Sequence, residues 1–180
     1  MSTPLVNHYY YDTQTKALLV ESLTQTIKEL EGEPVFLCIG SERHILDCLG
    51  PLTGTMLAEK SLDILVYGTL EKPLHAKNLV KEIETIKSNH PHIIEIAIDA
   101  AIGIEKDIGI IKFKKGPLFP GKALGKRLPA VGQLSITGIV GKRDLDKGKQ
   151  IINGSLHHVY HMAQLISSAI HEWYLYHKKL

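Results

Sequence analysis

Two aspartates stand where a chain of this pattern can bring acids together. Asp47 lies in Cys38-Ile39-Gly40-Ser41-Glu42-Arg43-His44-Ile45-Leu46-Asp47-Cys48-Leu49-Gly50-Pro51, directly after the apolar run Val35-Phe36-Leu37. Asp99 ends a second apolar run, Ile93-Ile94-Glu95-Ile96-Ala97-Ile98. If both runs are strands of an open α/β sheet, the crevice beyond their carboxyl ends is where ligands bind. Two carboxylates in one cleft push their proton affinities apart, so one holds a proton while the other takes one from water. That is the division of labour needed for peptide hydrolysis without a covalent intermediate. The same two acids, with His75 as a third ligand, could instead hold a divalent cation that acidifies a bound water. Each acid also has a plain structural reading. Asp47 sits where a helix N-cap belongs, and Asp99 where a turn would use it.

Further groups border these positions. The loop Gly116-Pro117-Leu118-Phe119-Pro120-Gly121-Lys122-Ala123-Leu124-Gly125-Lys126-Arg127 carries Lys126 and Arg127, cations able to stabilise an oxyanion or an acidic substrate. It lacks the GxxxxGK[ST] spacing of a P-loop, so nucleotide binding is not expected. His157 and His161 have the i, i+4 spacing of a zinc chelate, but position 158 is His rather than the Glu of an HExxH site. A solvated helix face is the expectation there. Cys48, beside Asp47, has no histidine at a spacing that would activate it. With Cys38 it reads as one of two reduced thiols, and no disulfide is required.

The surrounding pattern predicts the elements that must position these side chains. Leu18, Leu19, Leu23, Ile27 and Leu30 fall at helical spacing over residues 13–30, with an end at Gly32. Residues 35–39 predict a strand. A helix follows to about Lys60, its start fixed near Cys48–Gly50 because Pro51 is tolerated only in a first turn. Then come a short strand at Leu65–Gly68, a helix over 76–88 and a buried strand over 93–98. Strands at 107–114 and 133–140 flank the glycine-rich loop. A long helix runs from near Gly154, with Val159, Met162, Ala163, Ile166, Ile170 and Trp173 as its apolar stripe. The alternation predicts an α/β fold, a mostly parallel or mixed central sheet with helices on both faces, in one domain spanning 1–180.

Composition narrows the function classes. The chain has 180 residues, 44% hydrophobic and 22% charged, the balance of a globular domain. A net charge of +2 gives no electrostatic case for nucleic acid or membrane binding. The amino-terminal residues lack the basic-then-apolar pattern of a signal peptide, and no apolar run nears the ~18 residues of a membrane span. A cytoplasmic protein is expected.

Several segments together resemble a family of small spore proteases from spore-forming Firmicutes. They are Cys38-Ile39-Gly40 with Asp47-Cys48-Leu49-Gly50-Pro51, Val66-Tyr67-Gly68-Thr69-Leu70 with Pro73-Leu74-His75-Ala76-Lys77-Asn78-Leu79, Ala97-Ile98-Asp99-Ala100, and Gly116-Pro117-Leu118 with Pro120-Gly121 and Leu134-Ser135-Ile136-Thr137-Gly138-Ile139-Val140. The likeness covers roughly residues 34 to 175. That family is similar to the germination protease and, more distantly, to the hydrogenase-maturation endopeptidases. The resemblance implies a phosphorylase/hydrolase-like three-layer sandwich, with Asp47 and Asp99 matching two catalytic aspartates. It also implies a small spore protein or peptide as substrate and a location in the forespore or spore interior. The maturation enzymes bind nickel with two acids and a later histidine. Here the corresponding region reads Gly141-Lys142-Arg143-Asp144, which speaks against a nickel-guided reaction.

The expectation is therefore an aspartic-type endopeptidase using Asp47 and Asp99, with Lys126 or Arg127 in support and no cofactor. Two alternatives accompany it: an inert protein that binds a peptide in the same cleft, and a divalent-metal hydrolase using Asp47, Asp99 and His75.

Overall fold

The computed structural model describes residues 3–60, 63–120, 128–143, 151–152 and 154–177. In chain order the elements are β1 (Val6–Tyr9), α1 (Thr15–Leu30), β2 (Glu33–Cys38), α2 (Leu49–Ala58), β3 (Leu65–Tyr67), α3 (Leu79–Asn89), β4 (Ile93–Gly103), β5 (Ile110–Lys115), β6 (Leu134–Arg143), β7 (Ile151–Ile152) and α4 (Leu156–His177). Single 3-10 turns at Ile45–Asp47 and Glu105–Asp107 punctuate the loops. Among the described residues no helix is long and apolar enough to cross a membrane.

The strands form one seven-stranded sheet in the order β1-β5-β6-β4-β2-β3, with β7 pairing β6. Strands β3, β2, β4 and β6 run parallel, while β5 is antiparallel to both β6 and β1. The sheet is thus mixed, with a parallel centre. Alternation along β4 divides its side chains between the faces. Ile94, Ile96 and Ile98 join the larger core, made with α1, α2 and α4. Ala97 joins a smaller core with Val35, Leu37, Ile39 and the α3 residues Leu79 and Ile86. Helices therefore cover both faces, giving three layers.

Strand order places the site. From β2 the chain passes outward to β3, and from β4 it proceeds the other way toward β6 and β5. The point where connections diverge lies between the carboxyl ends of β2 and β4, and such a switch point leaves a crevice. Register then matters. Cys38, the last residue of β2, pairs with Ile98, so β4 outruns β2 from Asp99 onward. Asp99 is consequently not a turn residue after the strand. It lies within β4, opposite Thr137 of β6, with its β2 side left open.

The boundaries show where local pattern is overridden. The strand over 93–98 extends to Gly103, because β6 continues to pair with it past a bulge at Ala101/Ile102. Strand β1 escapes the hydrophobic pattern because only Val6 of its four residues is buried. The left-handed residue ending α1 is Glu31 (φ 50°), not Gly32.

Candidate functional site

The loop after β2 is closed by backbone contacts. The Ile39 N–H donates to the Ile98 carbonyl at 2.7 Å, and the Gly40 N–H donates to the Leu74 carbonyl at 2.9 Å. Gly40 then turns with φ 141°, and a Cβ there would overlap the Asp47 carbonyl oxygen. Only glycine combines that geometry with that approach. The Asp47 carbonyl accepts the Ser41 N–H at 2.9 Å, and the Asp47 N–H donates to His44 O at 2.8 Å. Residues 41–47 thus fold back so that Asp47 returns to the end of β2. Buried Leu46 anchors the turn in the larger core, against the Gly154 backbone at the approach to α4.

Helix α2 holds this arrangement from behind. A Cβ at Gly50 would strike the Ile39 carbonyl, and one at Gly54 would strike the Gly68 carbonyl. The two glycines, one turn apart, let the helix backbone rest directly on the ends of β2 and β3. The N-cap of α2 is Cys48, which makes no side-chain capping bond. Asp47 lies one residue ahead of that cap, in the 3-10 turn.

Asp99 projects from β4 into the same space. It is 7% exposed, and its Oδ1 accepts the Ala100 N–H at 2.8 Å. Burial pushes its carboxyl well above the ordinary carboxylate range, and the negative charge of Asp47 pushes the same way, against the opposing pull of the Ala100 hydrogen bond. Asp47 is half-buried. The two acids line one cavity of about 210 Å³ together with Arg43, His75 and Lys77. The convergence expected of them is present.

His75 is held by its own backbone. Its N–H donates to Asn78 Oδ1 at 2.8 Å, and its carbonyl accepts from the Asn78 and Leu79 N–H groups at 3.0 and 2.9 Å. The Asn78 side chain closes the turn by donating to the Pro73 carbonyl at 3.1 Å. Preceding Leu74 is buried and bridges Ile39, which fixes His75 at the cleft wall.

The remaining expectations fare differently. Lys126 and Arg127 lie outside the described residues, although Pro120 and Leu128, at either side of that segment, line the cleft. Asp47, Asp99 and His75 share the cleft. Among the described residues no group of three or more His, Cys, Asp or Glu side chains could hold an ion. Cys48 is a poor nucleophile, because burial, then the charges of Asp47 and Glu42, raise its thiol. Burial raises Cys38 much further. His157 is exposed as expected, but His161 is half-buried and stacks on Tyr10 with ring centroids 6.0 Å apart. Arg43 and Lys77 were not foreseen as lining residues. Each stands within the motif segments that carry Asp47 and His75, and that adjacency was the available signal.

The family described as "Protein of unknown function (DUF1256)" matches residues 7–169, a span that includes Asp47, His75 and Asp99. The chain belongs to that family. Among curated proteins, "Uncharacterized protein YyaC" of Bacillus subtilis (strain 168) is 37% identical over 150 residues, covering 82% of this chain and 73% of the relative. Neither description names an activity, so any reading of this DUF1256 member rests on its site.

Proposed function

We propose that the cleft hydrolyses a peptide bond in a small protein of the spore or forespore, through a water activated by Asp47 and Asp99. The observation that carries the reading is the unequal pair: a buried Asp99 whose carboxyl is raised by burial and by the charge of Asp47, sharing a cavity with a half-buried Asp47. Such a pair holds its protons unequally, and Asp99 is the member whose carboxyl is raised, so it is assigned the acid role. Asp47 then takes a proton from water as the water oxygen attacks the carbonyl carbon. Asp99 gives its proton to the carbonyl oxygen. Collapse of the tetrahedral intermediate breaks the C–N bond, with a proton passing to the leaving amine.

The likeness of the Asp47-Cys48-Leu49-Gly50-Pro51 and Ile98-Asp99-Ala100 segments to the germination protease supports the choice of substrate. The test is incubation with a purified small acid-soluble spore protein, comparing wild type, Asp47→Asn and Asp99→Asn by mass spectrometry. Wild type should cleave, and each variant should fall by about 10²–10⁴-fold. Cleavage that survives both substitutions overturns the mechanism. Binding of the same protein without cleavage by wild type would leave the cleft as a peptide-binding groove.

A further inference from the structure

We propose that His75 is a third reacting group of this cleft, donating a hydrogen bond from its Nε2–H to the carbonyl oxygen of the scissile bond, and that Asn78 is its positioning residue. The inference rests on the peptidase reading above and adds a group for which that reading has no role. His75 Nδ1 is sealed from solvent and has no hydrogen-bond partner, alone among buried side-chain nitrogens and oxygens of the described residues. A neutral imidazole carries one N–H and one bare nitrogen. A buried N–H without an acceptor is the rarer of the two deficits, since an orphaned donor is seldom found in folded proteins. The proton therefore belongs on Nε2 and the lone pair on Nδ1.

That assignment gives the ring a direction. With Nδ1 sealed, Nε2 is the nitrogen left for the cavity that His75 lines with Asp47 and Asp99. The backbone around the ring is pinned on both sides. Its N–H is held by Asn78 Oδ1 at 2.8 Å and its carbonyl by the Leu79 N–H at 2.9 Å, the entry to α3. A donor fixed before substrate arrives needs no reorganisation when charge develops on the carbonyl oxygen, which is what makes such donors effective. Asp47 activates the water and Asp99 protonates the carbonyl oxygen, while the His75 N–H supports that oxygen as electron density builds on it before the proton has transferred. A neutral histidine acting as an electrophile beside a carboxylate is established chemistry in other folds.

The experiment has two readouts. Long-range 1H–15N NMR of the folded protein at a pH where the ring is neutral should show His75 protonated on Nε2 and bare on Nδ1; the reverse tautomer overturns the proposal. In the spore-protein cleavage assay, His75→Ala should lower kcat by about 10²-fold with KM nearly unchanged, and His75→Gln, which retains an amide donor, should recover part of it. Asn78→Ala should lower kcat in the same sense, and Asn78→Asp, which still accepts the His75 N–H but cannot donate to the Pro73 carbonyl, should recover part of it. A His75→Ala enzyme with wild-type kcat and an unchanged melting temperature removes His75 while leaving the two aspartates in place. A wild type that cleaves nothing removes the peptidase reading, and this role with it.

Discussion

Glu95 and Asp99 sit four residues apart on β4, project from the same face of the sheet and are almost equally buried, at 8% and 7% exposure. Their electrostatic surroundings are opposite. Glu95 is met by Lys87 of α3, whose Nζ stands 2.8 Å from its carboxylate. Gln133 Oε1 accepts the Glu95 backbone N–H at 2.8 Å, tying that end of the strand. Asp99 is met instead by a second carboxylate, Asp47, in a cavity at the other end of the strand. One strand therefore carries a buried acid whose charge is answered and one whose charge is opposed. A fold under selection for stability alone has reason to build the first and none to build the second. Opposed charges of this kind concentrate where a site needs a proton held at neutral pH.

The contrast can be broken by mutation, beginning with the largest effect. Asp99→Asn or Asp47→Asn should reduce cleavage of the spore protein by about 10²–10⁴-fold. Lys87→Met, at the other end of the strand, should leave turnover within a factor of two, and a comparable loss there would erase the distinction. Next is Gly40→Ala, which places a Cβ onto the Asp47 carbonyl in a backbone conformation that L side chains avoid. It should cost about 2–4 kcal/mol in denaturant unfolding.

Stability should then separate the two acids by sign. Lys87→Met leaves Glu95 without its cation and should destabilise by about 1 kcal/mol, a modest figure because the Lys87 side chain is 56% exposed. Asp99→Asn removes an opposed charge and should stabilise by about 1 kcal/mol, raising Tm by about 2–4 °C. The smallest effect is the pH dependence of that gain. Asp99 has its carboxyl raised in the folded state, so its contribution to stability is fully present below the unfolded value. It is lost as pH rises through the folded one. The advantage of Asp99→Asn over wild type should accordingly grow from pH 4 upward and level off once wild-type Asp99 is ionised. A gap that shrinks with rising pH would reverse the assignment.

Much of this architecture is legible in the residues because its signals are local. The apolar runs at Val35-Phe36-Leu37 and Ile93–Ile98 announce buried strands, and the stripe from Val159 to Trp173 announces α4. The two aspartates are visible because Asp99 ends such a run and Asp47 closes the loop that follows one. Pairing is what hides the rest. That Asp99 lies inside β4 with one flank open depends on Cys38 aligning with Ile98, and no periodicity records a register. The antiparallel β5 is equally invisible, since its direction follows from β1 and β6 on either side. Glu95 reads as a lone acid in an apolar run until α3 brings Lys87 across to it. Tyr10 and His161 meet through tertiary packing, so the histidine face of α4 reads as wholly solvated when only part of it is.

The central claim is electrical coupling between the two cleft acids, and it can be measured without any substrate. Side-chain carboxyl 13C NMR should follow Asp99 through a pH titration in wild type and in Asp47→Asn. The account requires Asp99 to titrate well above the ordinary value of about 4 in wild type, and to move down when the Asp47 charge is removed. An Asp99 that titrates at the same pH in both proteins would show that the acids do not sense one another, and the shared-proton mechanism would have no basis.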